Sequence, residues 1–341
     1  MNRVFHADYV GDLGPMDYER ATLAAAGAEL VAARCADAGE LIDRAAGAQV
    51  VWLEWTPPID RAVLAALPEC ELVMRWGAGY DQIDVAAATD LGVAVANAPA
   101  YCTENVAEHT LALLLALSRG VAADDRAMRA GRWREPPAGH QRPVSHQRPV
   151  SHQRMSGHTL GIIGLGRIGR RVAELGLAFG CRVIGHDVRA DAAVPPGVER
   201  ASLAEVVGAA DYLTVHTPLA EQTRHLVSAD LLAGAKPGLL FVNTSRGPIV
   251  DTAALLAAID AGVVAGAALD VFEAEPLPAD SPLRSRPEIV LTPHEASSSA
   301  EAEDDLRAEM CQATIGWFTA GWADSVVNPQ VRGRLRREQP A

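Results

Sequence analysis

The sequence predicts an α/β fold made of two doubly wound parallel sheets, one unit inserted into the other. Three observations carry this. The chain has 341 residues, more than one ordinary domain needs and enough for two. Short apolar runs alternate with alanine-rich helical stretches almost throughout, the pattern of strands buried on both faces by crossover helices. A glycine-rich turn opens a second series of such alternations halfway along.

The first series of strands is read at "RVFHADYV", "AELVAAR", "AQVVWLEW", "ELVMRWGAG" and "GVAVANAP". Next, "NAPAYCTENVAEHTLALLLALSRG" supplies a turn, an N-cap at Thr103 and a helix of about four turns. Residues 131–157 are polar, contain proline and lack a period, so they read as a loop. The second series runs "TLGIIGLG", "CRVIGHD", "DYLTVHTP", "GLLFVNTS", "VAGAALDVF" and "EIVLTPH". A second break follows at "TPHEASSS", before a last helix. A chain that crosses twice places residues 1–98 and 297–330 in one domain and 99–296 in the other. An extended loop covers 139–157 and a flexible tail 331–341.

Bulk properties narrow the function. With 49% hydrophobic residues the chain can bury sizeable cores, and its net charge of −13 lacks the basic footprint that a nucleic-acid partner requires. The basic end "RGRLRREQPA" reads as a solvated terminus. Cys35, Cys70, Cys102, Cys181 and Cys311 are odd in number, far apart and form no CxxC, which points to reduced thiols in a cytoplasm and to no zinc site. The N-terminus has no long apolar run of the secretory kind. "LALLLAL" is too short to span a bilayer, so no membrane partner is expected.

Gly164-Leu165-Gly166-Arg167-Ile168-Gly169 is a GxGxxG that follows a strand and opens a helix. In that place the glycines allow a tight turn, close approach of a pyrophosphate and helix–strand packing. The phosphates would sit on the helix N-terminus. Asp187 ends the next strand, about 20 residues on, where a carboxylate accepts ribose hydroxyls and repels a 2′-phosphate, favouring NAD over NADP. Arg189 nearby reads as a solvated surface arginine. Three further strand ends deliver Arg246 in "NTSRG", Asp270, Glu273 and Glu275 in "LDVFEAEPL", and His294 in "LTPHEA". Ligands of doubly wound sheets bind beyond the carboxyl ends of the strands. An arginine, a carboxylate and a histidine gathered there suit hydride transfer to an oxo acid. The arginine holds the carboxylate and polarises the carbonyl, the histidine supplies the proton, and the carboxylate orients and charges the histidine.

These motifs, with "GAGYDQIDVAAATDLGVAVANAP", "ENVAEHTLALLLALSR", "VHTPLAEQTRHLV" and "FVNTSRGPIVD", resemble those of the D-isomer-specific 2-hydroxyacid dehydrogenase family over roughly residues 50–330. "APAYCTENVAEHT" and the PHxAxxS wording lean toward the subgroup resembling C-terminal binding protein. The resemblance implies a Rossmann cofactor domain inserted in a flavodoxin-like substrate domain. It also implies NAD as cofactor, a small 2-oxo or 2-hydroxy acid as substrate, and a homodimer. It assigns Arg246 to substrate, His294 to acid/base work and Glu275, rather than Glu273, as its partner. Asp270 would hold the nicotinamide carboxamide, and the backbone of Ala78 and Gly79 would take the substrate carboxylate. Thr110, His216, Thr217, Pro218, Thr244 and Ser245 would line the cofactor groove, together with His294. Glu275 argues against formate-type members, which carry glutamine, and Ala78 against phosphite-oxidising ones, which carry lysine. Glu295 stands where an apolar residue is common. The competing reading of the resemblance is a non-catalytic NAD(H)-sensing binding protein.

One feature has no counterpart in the resemblance. His140, His146, His152 and His158 recur every six residues because HQRPVS is written twice and begun a third time. Extended, that spacing sets the imidazoles roughly 20 Å apart, too far for one ion. The repeat reads as a tolerated duplication in a surface arm.

Overall fold

Apolar strand segments pair in parallel to give two separate sheets. The computed structural model describes residues 1–9, 16–133 and 152–336. Its two compact units are Met1–Cys102 with Ser299–Ala341, and Thr103–Ser298.

In the first unit, β1 (Asn2–His6), β2 (Ala28–Ala32), β3 (Val50–Leu53), β4 (Leu72–Arg75) and β5 (Ala94–Ala96) form a sheet in the order β2-β1-β3-β4-β5. This is the 2-1-3-4-5 order of flavodoxin-like folds. Every residue of β3, β4 and β5 is buried, which explains why these strands read as unbroken apolar runs. Alternation sends Val4, Trp52 and Met74 to one face, where the Ala300–Ala320 helix covers them with Leu306, Met310 and Trp317. Phe5, Val51, Val73 and Val95 go to the other, against Leu41, Val63 and Ala87. Short helices on that face start on Asp37, Asp60 and Asp84, each accepting backbone N–H bonds as an N-cap.

His6 is fully buried between aromatic rings, stacked on Trp76 at 5.0 Å and edge-on to Trp52. Burial outweighs the attraction of Asp8 and brings the ring down to about 4, so it is neutral at pH 7.

Residues 331–336 correct the expectation of a flexible tail. Val331 and Leu335 are buried, and Arg336 donates to the carbonyls of Leu64 and Leu91 at 2.8 Å. The basic character of this stretch concealed two apolar anchors and a guanidinium that satisfies carbonyls at helix and turn ends.

In the second unit, β6 (Thr159–Ile163), β7 (Arg182–His186), β8 (Val198–Arg200), β9 (Tyr212–Val215), β10 (Leu239–Asn243), β11 (Val264–Leu269) and β12 (Ile289–Leu291) form a parallel sheet ordered β12-β11-β10-β9-β6-β7-β8. The order reverses between β6 and β9, which puts a crevice at their carboxyl ends. The helix Thr103–Ser118 packs Leu111, Leu114 and Leu117 on one face with Ile162, Leu240 and Val242. The other face gathers Ile163, Leu213, Val215, Phe241 and Leu269.

The two full HQRPVS copies, at 140–151, lie outside the described residues. His152, which begins the third copy, sits with Nε2 3.0 Å from Oδ2 of Asp124. All five cysteines are buried thiols, and none is in a disulfide. Among the described residues no single helix is long and apolar enough to cross a membrane.

Candidate active site

The glycine loop leaves β6 at Gly164 with φ +98°, a conformation that favours glycine, and a Cβ there would press on the His216 carbonyl. A Cβ on Gly169 would collide with the Gly164 carbonyl, so the third glycine lets the Arg167–Ala178 helix close on the turn. Gly166 is different: a Cβ there would meet nothing within 4 Å. The loop thus leaves open space at the N-cap of a helix that no side chain caps, with the N–H groups of Arg167, Ile168 and Gly169 in its first turn. At the end of the neighbouring β9, His216 Nε2 and Thr217 Oγ1 are buried without hydrogen-bond partners, and Pro218 follows, exposed. Desolvation brings His216 down to about 3, so its ring is neutral. Orphaned polar atoms beside a cleared helix N-terminus fit a bound dinucleotide.

Asp187 ends β7, and its side chain is only 7% exposed. One oxygen accepts from the Leu165 N–H at 2.9 Å, tying the carboxylate to the glycine loop. The other accepts from the Arg189 N–H and from its Nε at 3.2 Å. Burial works against the charge, but these hydrogen bonds outweigh it and hold the carboxyl below its usual value. Arg189 is therefore an ion-pair partner of Asp187 as well as an exposed residue, which corrects the reading of a merely solvated arginine.

Arg246 follows β10 in a turn held by Asn243, whose Nδ2 donates to the Arg246 carbonyl and whose Oδ1 accepts from the Ser245 N–H. Ser245 Oγ donates to the Val215 carbonyl at 2.5 Å. Thr110 Oγ1 donates to the Val106 carbonyl at 2.7 Å, so the 2.9 Å contact with Thr244 Oγ1 is a bond that Thr110 accepts. A Cβ on Gly247 would overlap the Phe272 carbonyl, so glycine here lets this turn approach the segment carrying Glu275.

Glu275 places Oε1 on the Phe272 N–H at 2.8 Å and Oε2 on His294 Nδ1 at 2.7 Å. With the carboxylate at Nδ1, that nitrogen carries the ring's bound proton and Nε2 exchanges one. Burial opposes ionisation of Glu275. The His294 contact, the Phe272 N–H and the Arg246 charge outweigh it and keep the carboxyl below its ordinary value. His294 itself has φ 61°, an unusual backbone for a non-glycine residue. Asp270 holds it there. Fully buried, Asp270 accepts from Thr292 Oγ1 at 2.6 Å, the Glu295 N–H at 3.0 Å and the Ala296 N–H at 2.9 Å, while its own carbonyl accepts from the His294 N–H. His109 Nε2 adds a contact to Thr292 Oγ1 at 3.2 Å.

Sequence reasoning missed this pinning by Asp270, and it missed Asn243, Thr292 and His109. Glu295 is exposed. Glu273 binds His225 at 2.7 Å, away from His294's partner position. In the first unit, Asn97 Nδ2 donates to the Ala78 carbonyl at 2.6 Å, shaping the loop that continues into Gly79.

Comparison with known proteins identifies the family. Residues 111–296 match the model of the D-isomer specific 2-hydroxyacid dehydrogenase NAD binding domain. A glyoxylate reductase of Aeropyrum pernix is 40% identical over 293 residues, covering 85% of this chain and 86% of that protein. One from Korarchaeum cryptofilum is 37% identical, covering 81% of each. The crystal structure of a glyoxylate reductase from Paecilomyes thermophila superposes with a TM-score of 0.84 at 27% identity, over 96% of this chain and 99% of that one. The chain belongs to the D-isomer specific 2-hydroxyacid dehydrogenase family and is an NAD(P)-dependent oxidoreductase.

Proposed function

We propose that the protein reduces a small 2-oxo acid of the glyoxylate and hydroxypyruvate class to the D-2-hydroxy acid, with NADH preferred, as a homodimer. The observation that carries this reading is the 2.7 Å contact of His294 with Glu275, on a loop locked by Asp270. The relatives named as glyoxylate reductases support the substrate class. When bound, NADH supplies the hydride. His294 gives the carbonyl oxygen its proton from Nε2, and the Glu275 carboxylate stabilises the imidazolium before transfer. Arg246 binds the substrate and polarises its carbonyl, and the backbone of Ala78 and Gly79 takes the carboxylate. Asp270 is a positioning residue for the His294 loop, beside the carboxamide contact that the family resemblance implies. Thr110, Thr244, Ser245 and the His216–Pro218 segment line the cofactor groove.

NADH oxidation with glyoxylate, hydroxypyruvate, pyruvate and bulkier 2-oxo acids tests the reading. Turnover is expected with the small acids. His294→Ala is expected to cost at least ~10²-fold in kcat while NADH binding, followed by its fluorescence, is kept. NADH binding without turnover on any acid would favour an NAD(H)-sensing protein instead.

A further inference from the structure

The first unit holds a cluster that the reaction does not use. Parallel pairing places His6 beside Trp52, and alternation then brings Asp8, two residues past His6, level with Glu54 beyond the end of β3. Ligand atoms of His6, Asp8 and Glu54 all lie within 4.8 Å of one another. His6 is fully buried, yet neither ring nitrogen has a hydrogen-bond partner. A fully buried imidazole with neither nitrogen satisfied calls for an explanation.

Asp8 shows where the ring is aimed. Its carboxylate offers about four acceptor positions. Three are filled by the N–H groups of Glu54 at 2.8 Å, Thr56 at 2.9 Å and Trp55. The remaining position, on Oδ1, faces His6 Nε2 at 3.6 Å. That distance is too long for a hydrogen bond. It equals the span of two ligands each about 2.0–2.2 Å from a shared ion at a tetrahedral to trigonal angle.

We propose that His6, Asp8 and Glu54 form a binding site for a divalent first-row metal ion, with zinc the best match. One imidazole and two carboxylates, with a fourth position left open, is a donor set zinc accepts. The three backbone N–H groups on Asp8 preorganise one ligand, and the rings of Trp52 and Trp76 fix another. Glu54, partly exposed on a rotatable stem, closes the remaining gap from the solvent side. The cysteine spacing that argued against zinc does not bear on this set, which uses no sulfur.

The test is calorimetric titration of chelator-treated full-length protein with Zn²⁺, alongside a variant lacking residues 140–151, whose histidines are a rival ligand source. One equivalent is expected to bind in both. His6→Ala and Glu54→Gln, each made in the deletion background, are expected to weaken it about 10–100-fold or more. Circular dichroism checks folding. If His6→Ala does not fold, Glu54→Gln alone decides, because that side chain is partly exposed. No binding after the deletion, or binding that the folded variants leave unchanged, overturns the proposal.

Discussion

At the scale of single residues, carboxylates do most of the positioning. Asp270 fixes the His294 loop, Glu275 fixes the ring, and Asp187 ties the end of β7 to the glycine loop. The pairing of Glu275 with His294 was legible from motif wording, because each lies in a short distinctive stretch. The loop-pinning role of Asp270 was not, because its partners Thr292, Glu295 and Ala296 are 22 to 26 positions away and only the fold brings them together. Arg189 was misread for a simpler reason: a local salt bridge leaves no periodic signal. The pair predicts cofactor choice. Asp187 repels a 2′-phosphate, while Arg189 partly offsets that charge. Asp187→Ala is therefore expected to lower the NADH-to-NADPH ratio of kcat/KM, and Arg189→Ala to raise it. Ratios that do not move in opposite directions would show that this pair does not select the cofactor.

At the scale of elements, legibility followed burial. The eleven strands read from apolar runs all form, and those inside the sheets are apolar because helices bury both their faces, while β2 and β12 at the edges are only partly buried. β8 was missed because Val198–Arg200 is a three-residue edge strand, largely exposed, with one apolar residue. The turns were legible only as glycine positions; what each glycine admits required the fold. Gly247 is the clearest case. A Cβ there overlaps the Phe272 backbone, which cannot yield as a flexible side chain could. Gly247→Ala is expected to destabilise by about 1–3 kcal/mol. That corresponds to about 2–4 °C of Tm per kcal/mol for a domain of 150–250 residues. It should also lower kcat by displacing Arg246. Thermal denaturation together with steady-state kinetics checks this, and an unchanged Tm would mean that the turn relaxes freely.

At the scale of the whole molecule, the sequence announced two sheets because a second glycine-led series of strands follows the first. It also announced the return of the chain, since "TPHEASSS" precedes a helix whose Leu306, Met310 and Trp317 cover the first sheet. Its end was misjudged, because charge was read more readily than the buried Val331 and Leu335. The HQRPVS duplication belongs to this scale too. Doubling a loop's length costs only about 0.6 kcal/mol, so deleting 140–151 is expected to keep kcat and NADH affinity within about threefold, or ~0.6 kcal/mol. The elution volume in size-exclusion chromatography should stay that of the proposed dimer. A shift to monomer would show that the arm had been recruited to subunit contact.

The central claim is that Glu275 charges and orients His294 as the proton donor. Glu275 is held below its ordinary carboxylate value, so it stays anionic through neutral pH beside the His294 ring. Reduction takes a proton from that ring, so kcat for glyoxylate depends on the carboxylate set against it. Glu275→Gln takes away the charge but leaves a hydrogen-bonding group. The most direct test is kcat for NADH oxidation against pH, with the protein and Glu275→Gln measured side by side. The protein is expected to exceed the variant about tenfold or more at neutral pH, and the excess to shrink only below the ordinary carboxylate range, where Glu275 itself takes up a proton. Superimposable profiles would contradict the pairing on which the proposed mechanism rests.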